Sequence, residues 1–334
     1  MKPKLFIVQK IMPEALEVLK EHAEVEVFDK ERMISRDELK AGIARSDFLL
    51  MLGDVPIDGD IMDANPDLRG IAVMTMNPNV VDIDAATERG IPVTNIDHVI
   101  MTTTCDLTMA HILGLAWRLV EADRFTRSGR FHQEQSMTFL CHALPGKVLG
   151  LIGLGAIGKE IAKRARAFEM KVIYTKNTRL SPEEEAELGV EWVDDKDDVL
   201  RQADFVSLMA SYNPSTHLMI GEREFGLMKP TAFFINTARG RIVDEEAMLA
   251  ALREGRIAGA GLDVYWTEPP IGEPAPPEEL FKMDNVILTP HIGSATYESR
   301  AKMAMMAAEN AIALIKGERP KNLLNPETLE PAAA

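Results

Sequence analysis

One glycine-rich stretch in the middle of the chain constrains the fold more than any other segment. Residues 148–152 form an apolar run, Gly153, Gly155 and Gly158 follow in a Gly-x-Gly-x-x-Gly pattern, and a helix-like stretch continues from there. The pattern fits a buried strand, a tight turn at Gly153, a backbone approach to a pyrophosphate at Gly155 and close helix–strand packing at Gly158. Because glycines also mark ordinary turns, this stretch alone leaves dinucleotide binding and a simple turn open.

Short apolar runs alternate with charge-rich, helix-like segments on both sides of these glycines. The runs before the glycines cover residues 5–8, 25–28, 48–52, 71–74 and 92–94, and those after them cover 172–175, 190–193, 205–209, 233–237, 260–264 and 286–288. Such alternation indicates βαβ units and parallel sheets. We therefore predict an α/β fold with two doubly wound parallel-sheet domains.

Three further stretches have distinctive patterns. Residues 102–125 have a helical pattern, with Thr102 to Thr104 placed to cap its start, and residues 300–316 form an Ala/Met-rich helix that ends at Gly317. Residues 131–145 lose periodicity and expose Met137, Phe139 and Leu140. That stretch is an ordinary loop or a dimer contact. We favour the dimer contact and expect a homodimer, because exposed apolar patches usually have partners.

Composition excludes several classes of protein. The 334 residues are enough for two cores, and the formal net charge of -15 disfavours nucleic acid and anionic membranes as general partners. The two cysteines lack metal-ligand or disulfide spacing, and the histidines outside the motifs described below lack it too, so we expect no metal site. No apolar run approaches the ~20 residues needed to span a bilayer, and no signal-peptide pattern is present. We expect a cytoplasmic protein.

Motifs in the second half of the chain, together with residues 85–95 and 243–245, point to a family. The motifs are Ile235-Asn236-Thr237-Ala238-Arg239-Gly240, Asp263-Val264-Tyr265-Trp266-Thr267-Glu268-Pro269 and Thr289-Pro290-His291-Ile292-Gly293-Ser294. In this order and spacing the chain resembles the D-isomer-specific 2-hydroxyacid dehydrogenases over nearly its whole length, and within them the glyoxylate/hydroxypyruvate reductase branch. The position of the glycine strand fits this resemblance. We predict a Rossmann-like dinucleotide domain, residues 101–293, inserted into a flavodoxin-like substrate domain formed by residues 1–100 and 294–334.

By this resemblance Arg239 binds the carboxylate and carbonyl of the substrate, His291 is the acid/base and Glu268 pairs with His291. The chemistry of the three side chains supports these roles. A guanidinium presents parallel donors to a 2-oxo carboxylate and stays charged. An imidazole titrates near neutrality and can give or take the proton of the substrate oxygen. A neighbouring carboxylate fixes the orientation of the ring.

The residues after the second strand of the dinucleotide domain indicate which cofactor binds. An enzyme that uses NAD usually has an acid about 20 residues beyond the glycines, but Thr175 stands at that place and Lys176 and Arg179 follow. Cations there attract a 2′-phosphate, so we predict a preference for NADP(H), with NAD(H) as the alternative. Solvated loop cations are the competing interpretation. The resemblance implies that four further residues lie near the cofactor, namely Thr104, Thr237, Ala238 and Asp263. The expected cofactor-binding residues are therefore Gly153, Gly155, Ala156, Ile157, Gly158, Thr104, Thr175, Lys176, Asn177, Arg179, Thr237, Ala238 and Asp263.

The sequence departs from the family pattern in two loops. Met76-Asn77-Pro78-Asn79 replaces a Gly-Tyr-Asp-Asn-like loop whose N–H groups normally meet the substrate carboxylate, and Pro78 removes one donor. Ser211-Tyr212-Asn213-Pro214 replaces a Pro-Leu-Thr-Pro-like run over the adenosine. Trp266 is either a core anchor or a pocket wall. The expected substrate-binding residues are Met76, Asn77, Arg239, His291 and Trp266.

These observations predict an NAD(P)-dependent enzyme acting at C2 of a small 2-hydroxy or 2-oxo acid, with glyoxylate and hydroxypyruvate as first substrates. Two alternatives remain at this point. The same scaffold can act on another small anion such as phosphite or formate, which the unusual loop at residues 76–79 keeps open. A dinucleotide-sensing protein, similar to the transcriptional corepressors that resemble this family, is the alternative from another class.

Overall fold

The computed structural model describes residues 2–53, 55–76, 80–97, 101–132, 136–268 and 276–329. The predicted site residue Asn77 lies outside these described residues. The chain divides into two compact units, Met1–Val99 with Ala295–Ala334 (unit 1) and Ile100–Ser294 (unit 2). Among the described residues no helix is long and apolar enough to cross a bilayer.

Unit 1 begins with five short strands separated by helices. The elements are β1 (Lys4–Ile7), α1 (Pro13–His22), β2 (Glu24–Val27), α2 (Arg36–Ile43), β3 (Phe48–Met51), α3 (Gly59–Met62), β4 (Gly70–Val73), α4 (Ile83–Glu88) and β5 (Val93–Thr94). All strand pairs are parallel and the order is β2-β1-β3-β4-β5, the flavodoxin-like order. The strands β3 and β4 are buried at every position, as expected for a sheet covered on both faces.

Unit 2 begins with two helices and continues into a larger parallel sheet. Its elements are α5 (Met101–Ala116), α6 (Leu119–Arg127), β6 (Val148–Ile152), α7 (Ala156–Ala167), β7 (Lys171–Thr175), α8 (Pro182–Leu188), β8 (Glu191–Trp192), α9 (Lys196–Gln202), β9 (Phe205–Leu208), α10 (Glu222–Leu227), β10 (Phe233–Asn236), α11 (Glu245–Arg253), β11 (Gly259–Leu262) and β12 (Val286–Leu288). The strand order is β12-β11-β10-β9-β6-β7-β8, which is a Rossmann order extended by one strand.

Alternate residues of the central strands supply two separate cores on the opposite faces of this sheet. On β9 and β10, Val206, Leu208 and Phe234 belong to one core, while Phe205 and Phe233 belong to the other. This division follows from the two-residue period of a strand. Both faces are therefore buried and the edge formed by the strand ends is left for the site.

The last helix returns to unit 1. It is α12 (Tyr297–Lys316), begins three residues earlier than predicted and ends at Gly317, whose φ of 71° terminates it. Thr296 caps its start by accepting a hydrogen bond from the Ser299 N–H. Near the middle of α12, buried Asn310 donates to the carbonyl of Asn95. These contacts attach the C-terminal segment to the five-stranded sheet.

Two predictions about the helical stretch 102–125 are wrong. The stretch forms two helices, because Arg118 adopts a left-handed conformation with φ 48°. Tertiary contacts stabilise the break, since the N–H of His142 donates to the carbonyl of Ala116 and the guanidinium of Arg118 lies 5.0 Å from the Phe139 ring. Residues 102–104 are not caps, because they lie inside α5.

The prediction of two parallel-sheet α/β units is confirmed.

Candidate active site

Apart from Thr104 on α5, the predicted site residues of unit 2 lie at or just after the carboxyl ends of its strands. Those ends lie at one edge because all the strands are parallel. The chain leaves β6 toward β7 and β8 on one side and continues through β9 to β12 on the other. The position between β6 and β9 is therefore a topological switch point, where ligands bind in open α/β sheets.

The glycine turn connects β6 to α7 at this switch point. Gly153 has a φ of 99°, and a Cβ there would lie 2.7 Å from the Met209 carbonyl group, so only glycine fits. A Cβ at Gly155 would meet no atom within 4 Å. Gly155 is the N-cap of α7 and provides no side-chain cap. The first N–H groups of α7, including those of Ala156 and Ile157, are thus left for an anion, so this turn fits a dinucleotide pyrophosphate.

The residues after β7 differ in how available they are to a ligand. The Thr175 side chain is buried and donates its hydroxyl to the Asp194 carbonyl. Lys176 is half-buried and its Nζ lies 3.3 Å from the carbonyl of Leu154, within the glycine turn. Asn177 is exposed. The ammonium of Lys176 is therefore held beside the turn that fits the phosphates.

Arg179, in contrast, is held by a neighbouring helix. Its guanidinium donates two hydrogen bonds of 2.8 Å to Glu185 on α8. The hydroxyl of Tyr174 donates to the same carboxylate at 2.7 Å. These donors, Arg179 above all, lower the pKa of Glu185 to about 2. Arg179 is thus part of an ion pair that the sequence did not reveal.

Arg239 follows β10 and is exposed at the sheet edge. Its Nη1 donates to the carbonyl of Ala238 at 2.6 Å, and no carboxylate of the described residues forms an ion pair with it. The buried residue Thr237 shares a hydrogen bond of 2.9 Å with the hydroxyl of Thr108 on α5, which fixes the strand end. The guanidinium of Arg239 can therefore bind an anion without losing a salt bridge.

His291 and Glu268, which the sequence predicts as an acid/base pair, lie within hydrogen-bond distance of each other. The distance between His291 Nδ1 and Glu268 Oε2 is 2.8 Å. Because an ionised carboxylate only accepts, Nδ1 carries the proton and Nε2 is the nitrogen that exchanges a proton with a ligand. The other carboxylate oxygen of Glu268 accepts from the Tyr265 N–H at 2.8 Å. His291 is half exposed, with a side-chain exposure of 52%, so the ring can reach a ligand.

Asp263 has a structural role that the sequence did not indicate. It is 1% exposed, and its carboxylate accepts from the Ile292 N–H at 2.8 Å, the Gly293 N–H at 3.0 Å and the Thr289 hydroxyl at 2.6 Å. These bonds hold a turn in which His291 has a φ of 52°, an unfavourable conformation for a residue with a Cβ. The sequence analysis placed Asp263 only among the cofactor-binding residues, so this support of the turn was not predicted.

Tyr265 and Thr104 brace the same turn from other sides. The Tyr265 hydroxyl donates to the Thr289 carbonyl at 2.8 Å, and burial raises the pKa of Tyr265, which keeps it a donor. The hydroxyl of Thr104 on α5 donates to the Gly293 carbonyl at 3.2 Å. The side chain of Thr104 thus lies beside the turn that carries His291.

The two remaining predicted residues, Trp266 and Met76, contact other parts of the molecule. Trp266 is half-buried, with the His217 ring 5.7 Å away and the Arg241 guanidinium 5.8 Å from its own ring, so it belongs to a surface cluster rather than to the core. Met76 belongs to unit 1, where its carbonyl accepts from the Asn95 side chain. Among the described residues no group of acidic, histidine and cysteine side chains has the arrangement of a metal site.

Comparison with known proteins supports the family inferred from the motifs. Residues 109–293 match the family described as D-isomer specific 2-hydroxyacid dehydrogenase, NAD binding domain. The chain is 44% identical over 334 residues to a glyoxylate reductase of Thermococcus gammatolerans, covering 99% of this chain and 98% of that relative. The chain belongs to the D-isomer specific 2-hydroxyacid dehydrogenase family. The resemblance stated from the motifs is thereby confirmed, and this dehydrogenase is an NAD(P)-dependent oxidoreductase, as predicted.

Two solved structures show how far the dehydrogenase fold is shared. The TT0316 protein from Thermus thermophilus is 36% identical, with a TM-score of 0.86 and coverage of 96% of this chain and 99% of that one. An NADPH-dependent glyoxylate/hydroxypyruvate reductase from Sinorhizobium meliloti, in complex with NADP and malonate, is 28% identical with a TM-score of 0.78 and full coverage of both chains. Both likenesses extend over both units of this dehydrogenase.

Proposed function

We propose that this dehydrogenase reduces small 2-oxo acids, glyoxylate or hydroxypyruvate first, to the corresponding 2-hydroxy acids. The observation that carries this proposal is the pairing of Glu268 with His291 at the same sheet edge as Arg239, which forms no ion pair with any carboxylate that the structure describes. A carboxylate for substrate binding and a carbonyl for protonation are the two groups that these side chains can serve. The glyoxylate reductase activity named for the Thermococcus gammatolerans relative supports the same substrate class.

The chain's own residues have separate tasks in this proposal. The guanidinium of Arg239 binds the carboxylate of the acid and orients its carbonyl. His291 delivers a proton from Nε2 to the carbonyl oxygen, and Glu268 keeps Nδ1 protonated and the ring correctly oriented. A nicotinamide dinucleotide, when bound, supplies the hydride. In this assignment unit 2 is the dinucleotide domain and unit 1 the substrate domain.

A substrate panel tests this function. We expect turnover with glyoxylate and hydroxypyruvate, and none with phosphite or formate. Replacement His291→Asn should lower kcat by about a hundredfold, while the dissociation constant for NADPH changes by less than about twofold. The control is His132→Asn, at an exposed histidine that is distant in sequence from His291, and it should leave kcat unchanged. Full activity of His291→Asn, or turnover of phosphite or formate alone, would contradict the proposal. Tight NADPH binding without turnover of any acid would favour a sensing role.

The proposed cofactor preference is for NADP(H), and it rests on Lys176. No carboxylate is available at Thr175, and the ammonium of Lys176 lies beside the glycine turn. A carboxylate would hold the ribose hydroxyls and repel a 2′-phosphate, whereas an ammonium attracts one. Arg179 contributes less than the sequence suggested, because Glu185 already binds its guanidinium. The NADP bound to the Sinorhizobium meliloti reductase supports the same preference.

Two substitutions test this cofactor assignment in opposite directions. Lys176→Ala should lower kcat/KM for NADPH by about tenfold and that for NADH by less than about twofold, as expected for losing one charge-assisted contact. Glu185→Gln releases Arg179 and should raise the ratio of kcat/KM for NADPH over NADH. Lys171→Ala, at the opposite end of β7, is the matched control. A clear NADH preference of the unmodified enzyme would refute the assignment.

A further inference from the structure

A series of hydrogen bonds runs from buried His111 on α5 to the turn that carries His291. Its first member is His111, which is 2% exposed and whose Nε2 lies 3.1 Å from the Thr289 hydroxyl. That hydroxyl lies 2.6 Å from Asp263, and Asp263 accepts from the N–H groups of residues 292 and 293. This chain of hydrogen bonds therefore ends on the two peptide groups that directly follow His291.

The direction of each proton in this chain follows from its donors and acceptors. The Thr289 hydroxyl has one proton, and the ionised Asp263 carboxylate can only accept it. The hydroxyl oxygen must then accept from His111, so Nε2 of His111 carries a proton. Nδ1 of His111 has no hydrogen-bond partner among the described residues. Burial lowers the pKa of His111, which fits a neutral ring with its proton on Nε2.

The neighbouring strand is shaped to admit this ring. Gly261 lies in β11 opposite His111, and a Cβ at Gly261 would lie 2.9 Å from Cβ and 3.0 Å from Cγ of His111. An imidazole buried in an otherwise apolar part of α5 costs desolvation energy unless its polar atoms are used. One of its two nitrogens is used, and that nitrogen points to the Thr289 hydroxyl.

We propose that His111 is a positioning residue, which acts through Thr289 and Asp263 to hold the turn that presents His291. Donation by His111 fixes the lone pairs of the Thr289 hydroxyl and directs its proton to Asp263. Asp263 then holds the two N–H groups that stabilise the left-handed conformation of His291. This inference rests on the proposed proton transfer by His291, but the geometry of the hydrogen-bond chain can be tested without turnover.

Nuclear magnetic resonance of the enzyme labelled with 15N-histidine tests the geometry. At about pH 7 we expect His111 to be neutral, with its proton on Nε2. The signal is assigned by its loss in His111→Gln. A proton on Nδ1, or a charged ring at that pH, would overturn the proposal. We also expect the His291 ring signals to shift in His111→Leu but not in Ile112→Val, a change at a buried neighbour on the same helix.

Kinetics with glyoxylate and NADPH test the consequence for the reaction. His111→Leu should lower kcat by about tenfold and change the KM for NADPH by less than about twofold, because displacement of an acid/base group affects the chemical step. His111→Gln should restore most of kcat, since its amide nitrogen replaces Nε2 as a donor. A purely structural role would not produce this rescue.

A double-mutant cycle separates coupling from general damage. Thr289→Val should lower kcat to a similar extent, and the double variant His111→Leu/Thr289→Val should be no worse than Thr289→Val alone, because both changes break the same chain. Additive losses, or an equal loss in Ile112→Val, would refute the coupling. If the unmodified enzyme reduces no 2-oxo acid, the proposed function fails, and the His291 ring signals then decide the positioning role separately.

Discussion

Asp263 and Glu268 each use a carboxylate to bind backbone N–H groups as well as a side chain. Glu268 accepts from the Tyr265 N–H and pairs with His291, and Asp263 accepts from two N–H groups and the Thr289 hydroxyl. Main-chain atoms move less than long side chains, so these bonds fix the orientation of the imidazole before any ligand arrives. At the scale of single residues, preorganisation of the proposed acid/base group His291 therefore depends on these two acids.

Replacement Glu268→Gln tests the dependence on Glu268. If the amide oxygen keeps the Tyr265 N–H, the amide NH₂ faces His291 Nδ1 and favours the wrong tautomer of the ring. We expect kcat to fall by about a hundredfold, with little change in protein stability. Glu279→Gln, which removes an exposed carboxylate paired with Arg253, is the control. Retention of more than about half of kcat would show that the carboxylate is dispensable.

The ion pair of Glu185 with Arg179 makes stability depend on pH in a defined direction. The pKa of Glu185 falls from an ordinary value of 4.5 to about 2. Because the folded-state pKa is the lower one, this stabilisation is present above about pH 4.5 and is lost as the pH falls toward about 2. Glu185→Gln should therefore lower the melting temperature at neutral pH. The difference from the unmodified enzyme should become smaller as the pH falls. Urea or thermal unfolding from neutral pH down to pH ~3 measures this, and Glu187→Gln, exposed on the same helix, should show no such dependence.

At the scale of helices and strands, much of the molecule could be predicted because the signals are local. Apolar runs separated by helical patterns located all the strands that the structure describes, and the motifs after β10, β11 and β12 located Arg239, Glu268 and His291. The break at Arg118 could not be predicted, because no glycine or proline marks it and contacts with residues 139 and 142 stabilise it. The ion pair between Arg179 and Glu185 was not predicted either, because it also depends on how the chain folds. A charge in the sequence does not reveal which partner in the fold binds it.

The glycine turn contains one glycine that the fold requires, Gly153, and one that we expect only the cofactor to require, Gly155. At Gly153 a Cβ collides with the Met209 carbonyl group and φ is 99°, so Gly153→Ala should cost about 2 kcal/mol or more of unfolding free energy. At Gly155 a Cβ meets nothing within 4 Å. We therefore expect Gly155→Ala to preserve the melting temperature and to raise the KM for NADPH by about tenfold. Equal cofactor affinity in Gly155→Ala and the unmodified enzyme would contradict a pyrophosphate at this turn.

At the scale of the whole molecule, a group of exposed apolar side chains between residues 117 and 140 suggests self-association. These side chains, which are 57–75% exposed, are Trp117, Leu119, Phe131, Met137 and Leu140. Residues from the two ends of this stretch lie close together. The thiol sulfur of Cys141 is 2.9 Å from the Phe139 carbonyl oxygen and 3.3 Å from that of Trp117, and the rings of Phe125 and Phe139 are 5.0 Å apart. An apolar surface of this kind usually has a partner, and a second copy of the chain remains our prediction.

The substitution Leu140→Asp tests that prediction. A buried charge at a self-associating surface is unfavourable, so the variant should be monomeric where the unmodified enzyme is a dimer. Light scattering after size-exclusion chromatography measures the mass of each form. The control is Phe281→Asp, at an exposed apolar residue outside this group, and it should leave the mass unchanged. A monomeric unmodified enzyme would refute the expected homodimer.

The start and the end of unit 2 meet at one place. The Thr103 hydroxyl near its start donates to the Gly293 carbonyl near its end at 2.7 Å, and the Thr104 hydroxyl donates to the same oxygen at 3.2 Å. A segment whose ends are adjacent can be spliced into a surface loop of a host protein without stretching that loop. Arg239, Glu268 and His291 all lie within this segment. In evolutionary terms, recombination near residues 103 and 293, which are neighbours in space, is therefore enough to move the proposed acid/base pair and anion-binding arginine between host proteins as one heritable unit.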